Sequence, residues 1–182
     1  MATIPLIERK EDLSAPDRPI YDAIAQSRGR VQGPFAALLH SPALAERTAL
    51  LGSYVRFEST LQPAVAELAV LVTAREFDCK HEWAAHIEHA LKAGLSLATI
   101  RSVHQRNGPE GFAPDEAQIV SYVRQLLRAH AVDEPTLRAL CGRLGVKGLV
   151  ELTATVGYYA MLACTLNAFD IVHATPPEDL SI

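Results

Sequence analysis

Helix punctuation constrains this chain more than any other feature of its sequence. Ser41-Pro42, Pro63, Pro114 and Pro135 each stand before a run with apolar residues in nearly every turn. Proline suits the first helical position, where its missing N–H would have no intrahelical partner. Gly94 and Gly142 mark helix ends, where glycine accepts the left-handed backbone that closes a last turn. Strand signals hardly appear. The spacing predicts helices over 20–26, 42–58, 64–77, 79–93, 97–104, 114–130, 135–142 and 147–171, which is an all-α, single-domain helical bundle. Residues 1–18 read as an extended N-terminal arm, 19–175 as the helical domain and 176–182 as a loose tail.

Composition narrows the class. A chain of 182 residues fits one domain, and 49% hydrophobic content can offset the entropy of ordering without disulfides or a structural metal. The formal net charge is -4, from 17 Lys+Arg against 21 Asp+Glu. With no basic stripe to neutralise phosphates, a nucleic-acid partner is not expected. The opening MATIPLIERKEDLSAPDRP carries mixed charges and no apolar run, which is neither a signal nor a transit peptide. Cys79, Cys141 and Cys164 are scattered and odd in number, so the expected compartment is a reducing cytoplasm. Leu152 to Phe169 carries no charge, but Thr153, Gly157 and Asn167 dilute its hydropathy. It is read as a buried core helix, and no membrane is expected.

Chemistry concentrates in residues 76–94, EFDCKHEWAAHIEHALKAG. At 100° per residue, Cys79, Glu82, His86 and His89 fall within one stripe of a helix, roughly 80° wide. Trp83 borders that stripe, and His81 falls on the other side. A carboxylate one turn from an imidazole can fix its tautomer and raise its basicity, which suits proton transfer. An imidazolium neighbour would also lower a thiol pKa. The same pattern occurs on solvated faces as simple i,i+4 pairs, and a lone cysteine is commonly a small buried hydrophobe. Glu82-x3-His86-x2-His89 would offer three metal ligands on one face, yet this spacing is no recognised zinc pattern, and no metal is expected.

These residues carry a resemblance. Glu67-Leu68-Ala69-Val70-Leu71, then Cys79-Lys80-His81-Glu82-Trp83-Ala84-Ala85-His86 and Ala93-Gly94-Leu95-Ser96, resemble the carboxymuconolactone decarboxylase family, which includes the alkylhydroperoxidase D-like proteins. The likeness covers about residues 35–105 and is looser through the final helix, with its Gly157-Tyr158-Tyr159 and Leu166-Asn167-Ala168-Phe169. It implies an all-helical fold, a homo-oligomer (dimer, trimer or hexamer) and a small-molecule substrate. Alkylhydroperoxidase D-like members use a Cys-x-x-Cys pair, a histidine four residues after the second cysteine, and an upstream glutamate. Glu67, Cys79 and His86 match the glutamate, the first cysteine and the histidine, while Glu82 stands where the second cysteine attacks peroxide. The chain therefore falls in a Cys-x-x-Glu-Trp-x-x-His subgroup. The decarboxylase branch implies cofactor-free general acid–base chemistry on a small organic acid or lactone of aromatic catabolism, with His86 as proton shuttle, Glu82 as acid or base and Glu67 as orienting carboxylate. Alternatives are a thiol peroxidase using Cys79, for which a sulfenate would need an external thiol, and a non-catalytic oligomeric binding protein.

Arg56 and Arg75 are candidates for holding a substrate carboxylate, since guanidinium forks match that geometry. Arg75 is preferred because it precedes the stripe by one turn. Trp83 and His89 are expected to contact substrate, and burial near Trp83 is a way to raise a glutamate pKa. Tyr158, Tyr159 and Asn167 are read as core residues with satisfied polar ends. Gly157, Ala160 and Cys164 form a small-residue face that would let another helix approach, within the protomer or across an oligomer interface. His40, His104, His130 and His173 are assigned no function.

Overall fold

Six of the eight α-helices among the described residues open with proline in their first turn. The computed structural model describes residues 2–172 and 174–182; Met1 and His173 lie outside the described residues. The helices are α1 Arg18–Arg28, α2 Pro34–Leu38, α3 Pro42–Ser53, α4 Pro63–Glu76, α5 Lys80–Lys92, α6 Leu97–His104, α7 Pro114–Ala129 and α8 Glu134–Ala168, and the described residues form no strand. The all-α reading of the sequence therefore holds.

The bundle is organised around α4, which packs against α5, α7 and α8. Its sequence explains this position: Leu68 to Ala74 are buried without interruption, as expected of a helix that is apolar on every side. The one hydroxyl in that run, Thr73 Oγ1, donates to Ala69 O at 2.8 Å. The main core joins Leu68, Leu71 and Val72 to Trp83, Ile87, Ile100, Val123, Leu152 and Val156. A second cluster lies under the N-terminal segment, where Ile7 and Leu13 pack with Ile24, Phe35, Leu39 and Ala49.

Four local expectations change. The helix predicted to run on to Glu58 leaves α geometry at Tyr54, and Tyr54–Glu58 form a π-helical turn. The cause is Glu151, whose carboxylate accepts from Tyr54 Oη at 2.6 Å, Thr60 N at 2.8 Å and Thr60 Oγ1 at 2.5 Å. These bonds hold the wider turn against α8. Second, Ser41 occupies the N-cap position of α3 without a side-chain capping bond, whereas Ser96 does cap α6 through Thr99 N. Third, the break in the last helix falls at Gly145, with φ 69° and ψ 170°, a left-handed extended conformation open to glycine alone. Fourth, the tail is docked: Leu180 is buried, Trp83 Nε1 donates to Leu180 O at 2.7 Å, and Arg101 pairs with Asp179 at 2.9 Å. Burial of one leucine and an indole partner hold a segment that its prolines alone suggested would be loose.

By length and composition α8 is apolar enough to cross a membrane, but half of its most apolar window is buried in the bundle. Only one side of this helix is core. Val150, Ala154, Gly157, Met161, Cys164 and Ala168 lie exposed on the other.

Candidate active site

The junction between α4 and α5 sets the geometry of the site. Cys79 N donates to Ala74 O at 2.8 Å and Asp78 N to Arg75 O at 3.2 Å, with Asp78 at φ 47°. This is a Schellman closure of α4, in which the residue after the left-handed position is normally apolar and buried. Cys79 fills that role. It is fully buried and packs with Ala37, Ala163, Leu166 and Ile171. Burial pushes its thiol up to about 11, against the backbone N–H groups of Glu82 and His81 that would lower it. Arg75 belongs to the same junction: Nε donates to His104 O at 2.8 Å and the guanidinium pairs with Asp78. Preferred in sequence as a carboxylate holder, Arg75 instead directs Nε and Nη1 to His104 O and Asp78.

The tight reversal brings Glu67 of α4 across from α5. Glu67 Oε2 lies 2.8 Å from His86 Nδ1, and Glu82 Oε2 lies 3.4 Å from His86 Nε2. His86 is buried between the two carboxylates. Burial opposes charge on the imidazole, but hydrogen bonds and charge from Glu67 and Glu82 prevail and raise its pKa from 6.5 to about 9. At neutral pH this ring is an imidazolium with a carboxylate at each nitrogen. Tyr159 of α8 meets its edge, ring centroids 5.0 Å apart, and His89 lies at 5.5 Å. Burial raises the Tyr159 phenol well above its ordinary value, so it stays protonated.

Two cavities meet at this group. One, of about 380 Å³, includes Glu67, Val70 and Thr155 in its wall. The other, of about 220 Å³, includes Glu82, His86, His81, Arg28 and Tyr158. Both are lined by Arg56, His89 and Tyr159. The larger cavity of about 480 Å³ near Gly148 lies away from His86. Its Arg143 bonds to Asp115 O and Gln118, and its Glu116 to Thr99, so it presents no comparable reactive group.

The structure thus brings Glu82, His86 and His89 together as the stripe suggested, and sets Glu67 of α4 beside them as the resemblance implied. It leaves out Cys79, Arg75 and Trp83. Trp83 is fully buried in the main core, turned toward the tail and His104, so it neither contacts a substrate nor desolvates the glutamates from within the cavity. His81, expected to point away, lines the smaller cavity against Gly33. Tyr158 and Tyr159 line that cavity as well, and Asn167 has the satisfied end expected of it, with Nδ2 donating to Phe77 O at 2.7 Å. Arg56, ranked below Arg75 on spacing, does line the site. Arg28 and Arg30 were not singled out at all; they reach the cavity from the segment before α2, and no periodic signal links them to α5. Among the described residues, no group of three or more His, Cys, Asp and Glu is arranged to hold a metal ion.

Residues 42–125 match the carboxymuconolactone decarboxylase family. No curated protein matches the sequence. Among solved structures, the chain is similar to an uncharacterized peroxidase-related protein from Silicibacter sp. TM1040, with a TM-score of 0.71 and 11% identity over 97% of this chain and 94% of that one. At that identity the likeness concerns the fold.

Proposed function

We propose that this chain, whose residues 42–125 match the carboxymuconolactone decarboxylase family, is an enzyme that transfers a proton at carbon on a small organic acid or lactone. The observation that carries the reading is His86 held between Glu67 and Glu82, at 2.8 and 3.4 Å. The shorter contact orients the ring through Nδ1, as the buried aspartate does in hydrolase triads. The longer one leaves Nε2–H on the cavity side, available as the acid. When a carboxylate leaves as carbon dioxide, the electron pair of the broken C–C bond remains on carbon, and Nε2–H supplies the proton. Glu82 then returns a proton from solvent to the ring. Positioned general acids of this kind contribute about 10²–10⁴-fold to rate.

A thiol-peroxidase reading draws support from the likeness to the peroxidase-related Silicibacter protein. Against it stand the burial of Cys79 and a thiol pKa near 11, because the thiolate is the nucleophile. Two assays separate the readings. Loss of carbon dioxide from small carboxylated lactones and organic acids in D2O, with one deuteron entering the carbon that held the carboxylate, followed by NMR, is expected with the wild type and to fall at least 100-fold in His86→Gln. Equal turnover in both proteins would overturn the proton-transfer reading. Hydroperoxide consumption with excess dithiol is expected to be absent, and turnover abolished by Cys79→Ser would instead establish the peroxidase.

The expected self-association is proposed to use the outer face of α8. Val150, Ala154, Gly157, Met161, Cys164 and Ala168 recur at alternating intervals of four and three residues and are all exposed, the pattern of a coiled-coil seam. Packed antiparallel on a second copy about a two-fold axis, this stripe sets Met161 over Gly157, Cys164 over Ala154 and Ala168 over Val150. Each pair matches a larger side chain with a smaller one, and the contact is isologous, as a two-fold interface requires.

A further inference from the structure

Two consecutive tyrosines of α8 face the bundle, and their hydroxyls have different surroundings. The Tyr158 hydroxyl is closed in by α3: a Cβ added at Gly52 would come within 2.1 Å of it and 2.7 Å of Arg28 Nη2. Tyr159 is only 4% exposed, and its ring is held from two sides. It stands edge to face with Tyr158, centroids 5.3 Å apart, and at 87° to His86, centroids 5.0 Å apart. Val55, Val70 and Leu162 pack in the same cluster. Its hydroxyl has no hydrogen-bond partner among the described residues, yet it is not sealed as the Tyr158 hydroxyl is. Tyr159 lines both cavities that meet at His86. A fixed ring whose donor is unspent and opens on a cavity is a preorganised hydrogen-bond donor. Burial, with the charge on Glu82 and against that on Arg56, raises its pKa well above the ordinary value, so the proton stays on the phenol. Neither nearby carboxylate takes up the donor, because Glu67 and Glu82 each turn Oε2 to His86.

We propose that the Tyr159 hydroxyl is a further catalytic group of this site, the donor to the oxygen that takes up negative charge while the carbon–carbon bond breaks. The inference rests on the proton-transfer reading. That reading gives His86 the proton delivered to carbon and assigns nothing to the charge that develops before it. When the carboxylate leaves as carbon dioxide, its bonding pair passes to the carbon that held it. Where that carbon adjoins a carbonyl, the pair spreads onto the carbonyl oxygen as an enolate. Tyr159 O–H donates a hydrogen bond to this oxygen and keeps its proton. His86 Nε2–H then protonates the carbon, the carbonyl re-forms, and Glu82 returns a solvent proton to the ring. One carboxylate and one proton thus give carbon dioxide and a C–H bond, with no electrons left over. The oxygen and the carbon of an enolate are two bonds apart, and the neighbouring rings of Tyr159 and His86 let one small molecule meet both. The donor also sets a requirement on the substrate: the departing carboxylate stands on the carbon next to a carbonyl, since only there does the pair reach an oxygen.

4-Nitrophenolate serves as the probe, because it carries an oxyanion on a ring and its visible band moves to the blue when that oxygen accepts a hydrogen bond. At pH 8, where His86 is charged, the wild type is expected to bind it with a blue-shifted band. Tyr159→Phe is expected to bind it about tenfold more weakly. This change removes a hydroxyl without a partner and keeps the ring between Tyr158 and His86, so melting temperature and the NMR titration of His86 should not move. With small carboxylated lactones, kcat for loss of carbon dioxide is expected to fall about 100-fold in Tyr159→Phe while KM stays within about threefold. No binding of 4-nitrophenolate by the wild type, or equal binding in Tyr159→Phe, would overturn the proposal. Weaker binding that comes with a displaced His86 titration would assign the effect to His86 and overturn it as well. Equal kcat in wild type and Tyr159→Phe, beside a loss in His86→Gln, removes Tyr159 and keeps the proton-transfer reading. Binding of the probe through Tyr159 by a protein that releases no carbon dioxide keeps the oxyanion donor and loses that reading.

Discussion

The charge on His86 makes stability depend on pH in a way that tests the site directly. In the unfolded chain this imidazole titrates near 6.5, and in the folded protein near 9. A folded pKa raised above the unfolded one means that the native state binds the proton more tightly. The stabilisation is therefore complete below pH 6.5 and is lost as pH rises through 9. At about 1.4 kcal/mol per unit, a shift of this size amounts to about 3 kcal/mol. Glu67 and Glu82 accept from the ring, and neither depends on the other histidines of the chain for this contact. Replacing His86 by glutamine keeps a side chain of similar reach and removes the titration. Urea unfolding of the wild type and His86→Gln at a series of pH values between 6 and 10 measures the difference, and groups common to both proteins cancel. The gap between the two is expected to narrow by about 3 kcal/mol across that range, nearly all of it above pH 6.5. Parallel curves, or an imidazole NMR titration for His86 centred near 6.5, would refute the placement of a charged ring between two carboxylates.

Three further outcomes follow from other parts of the molecule. Glu151→Ala leaves Thr60 N–H and the Tyr54 and Thr60 hydroxyls without their acceptor, and a loss of about 2–4 kcal/mol in denaturant unfolding is expected. Since hydrogen bonds from Thr60 and Tyr54 hold this carboxylate at about 2, the advantage of wild type over Glu151→Gln should persist above pH 4.5 and vanish as pH falls through 2. Trp83→Phe removes the indole donor to Leu180 O, and the tail should then be trimmed by carboxypeptidase several times faster, with a stability loss of about 1–2 kcal/mol; an unchanged trimming rate would show that the tail is held otherwise. Met161→Lys places a charge in the middle of the exposed α8 stripe, and sedimentation equilibrium should report a smaller assembly than for the wild type, whereas an unaltered assembly would exclude this face.

What was legible in the sequence was what local chemistry decides. Pro42, Pro63 and Pro114 open helices for reasons internal to their own first turns, and Ser96 caps α6 through a residue three positions on. Glu82, His86 and His89 share a face because helical periodicity alone puts them there. The errors arose where a distant contact outweighed a local pattern. Arg75 stands one turn before the stripe in sequence, yet the reversal at Asp78 turns it toward His104 O and away from the cavity. Trp83 borders the stripe on a helical wheel, but the roughly 100° between it and Glu82 by periodicity places the indole in the core. The π-turn at Tyr54 depends on Glu151, nearly a hundred positions away. Arg28 enters the cavity from α1 by tertiary packing on Phe35, a relation that leaves no periodic trace. Tyr158 and Tyr159 sit in an uncharged run, so their hydroxyls looked like satisfied core groups. Burial was read correctly there.

The substitution at position 82 gives these particulars a common logic. In alkylhydroperoxidase D-like proteins the corresponding place holds the cysteine that attacks peroxide, and a histidine four residues on serves a thiol. Here Glu82 Oε2 stands 3.4 Å from His86 Nε2, and Glu67 holds the opposite nitrogen. A thiol at position 82 needs an imidazole that accepts a proton, whereas two carboxylates fix an imidazolium that gives one. The first cysteine survives for another reason: Cys79 fills the apolar position of the helix closure between α4 and α5, where a small hydrophobe is required whatever the chemistry. On the proposed proton-transfer reading, a carboxylate stands in the place of the attacking thiol, and the remaining thiol, pushed up to about 11 by burial, serves packing.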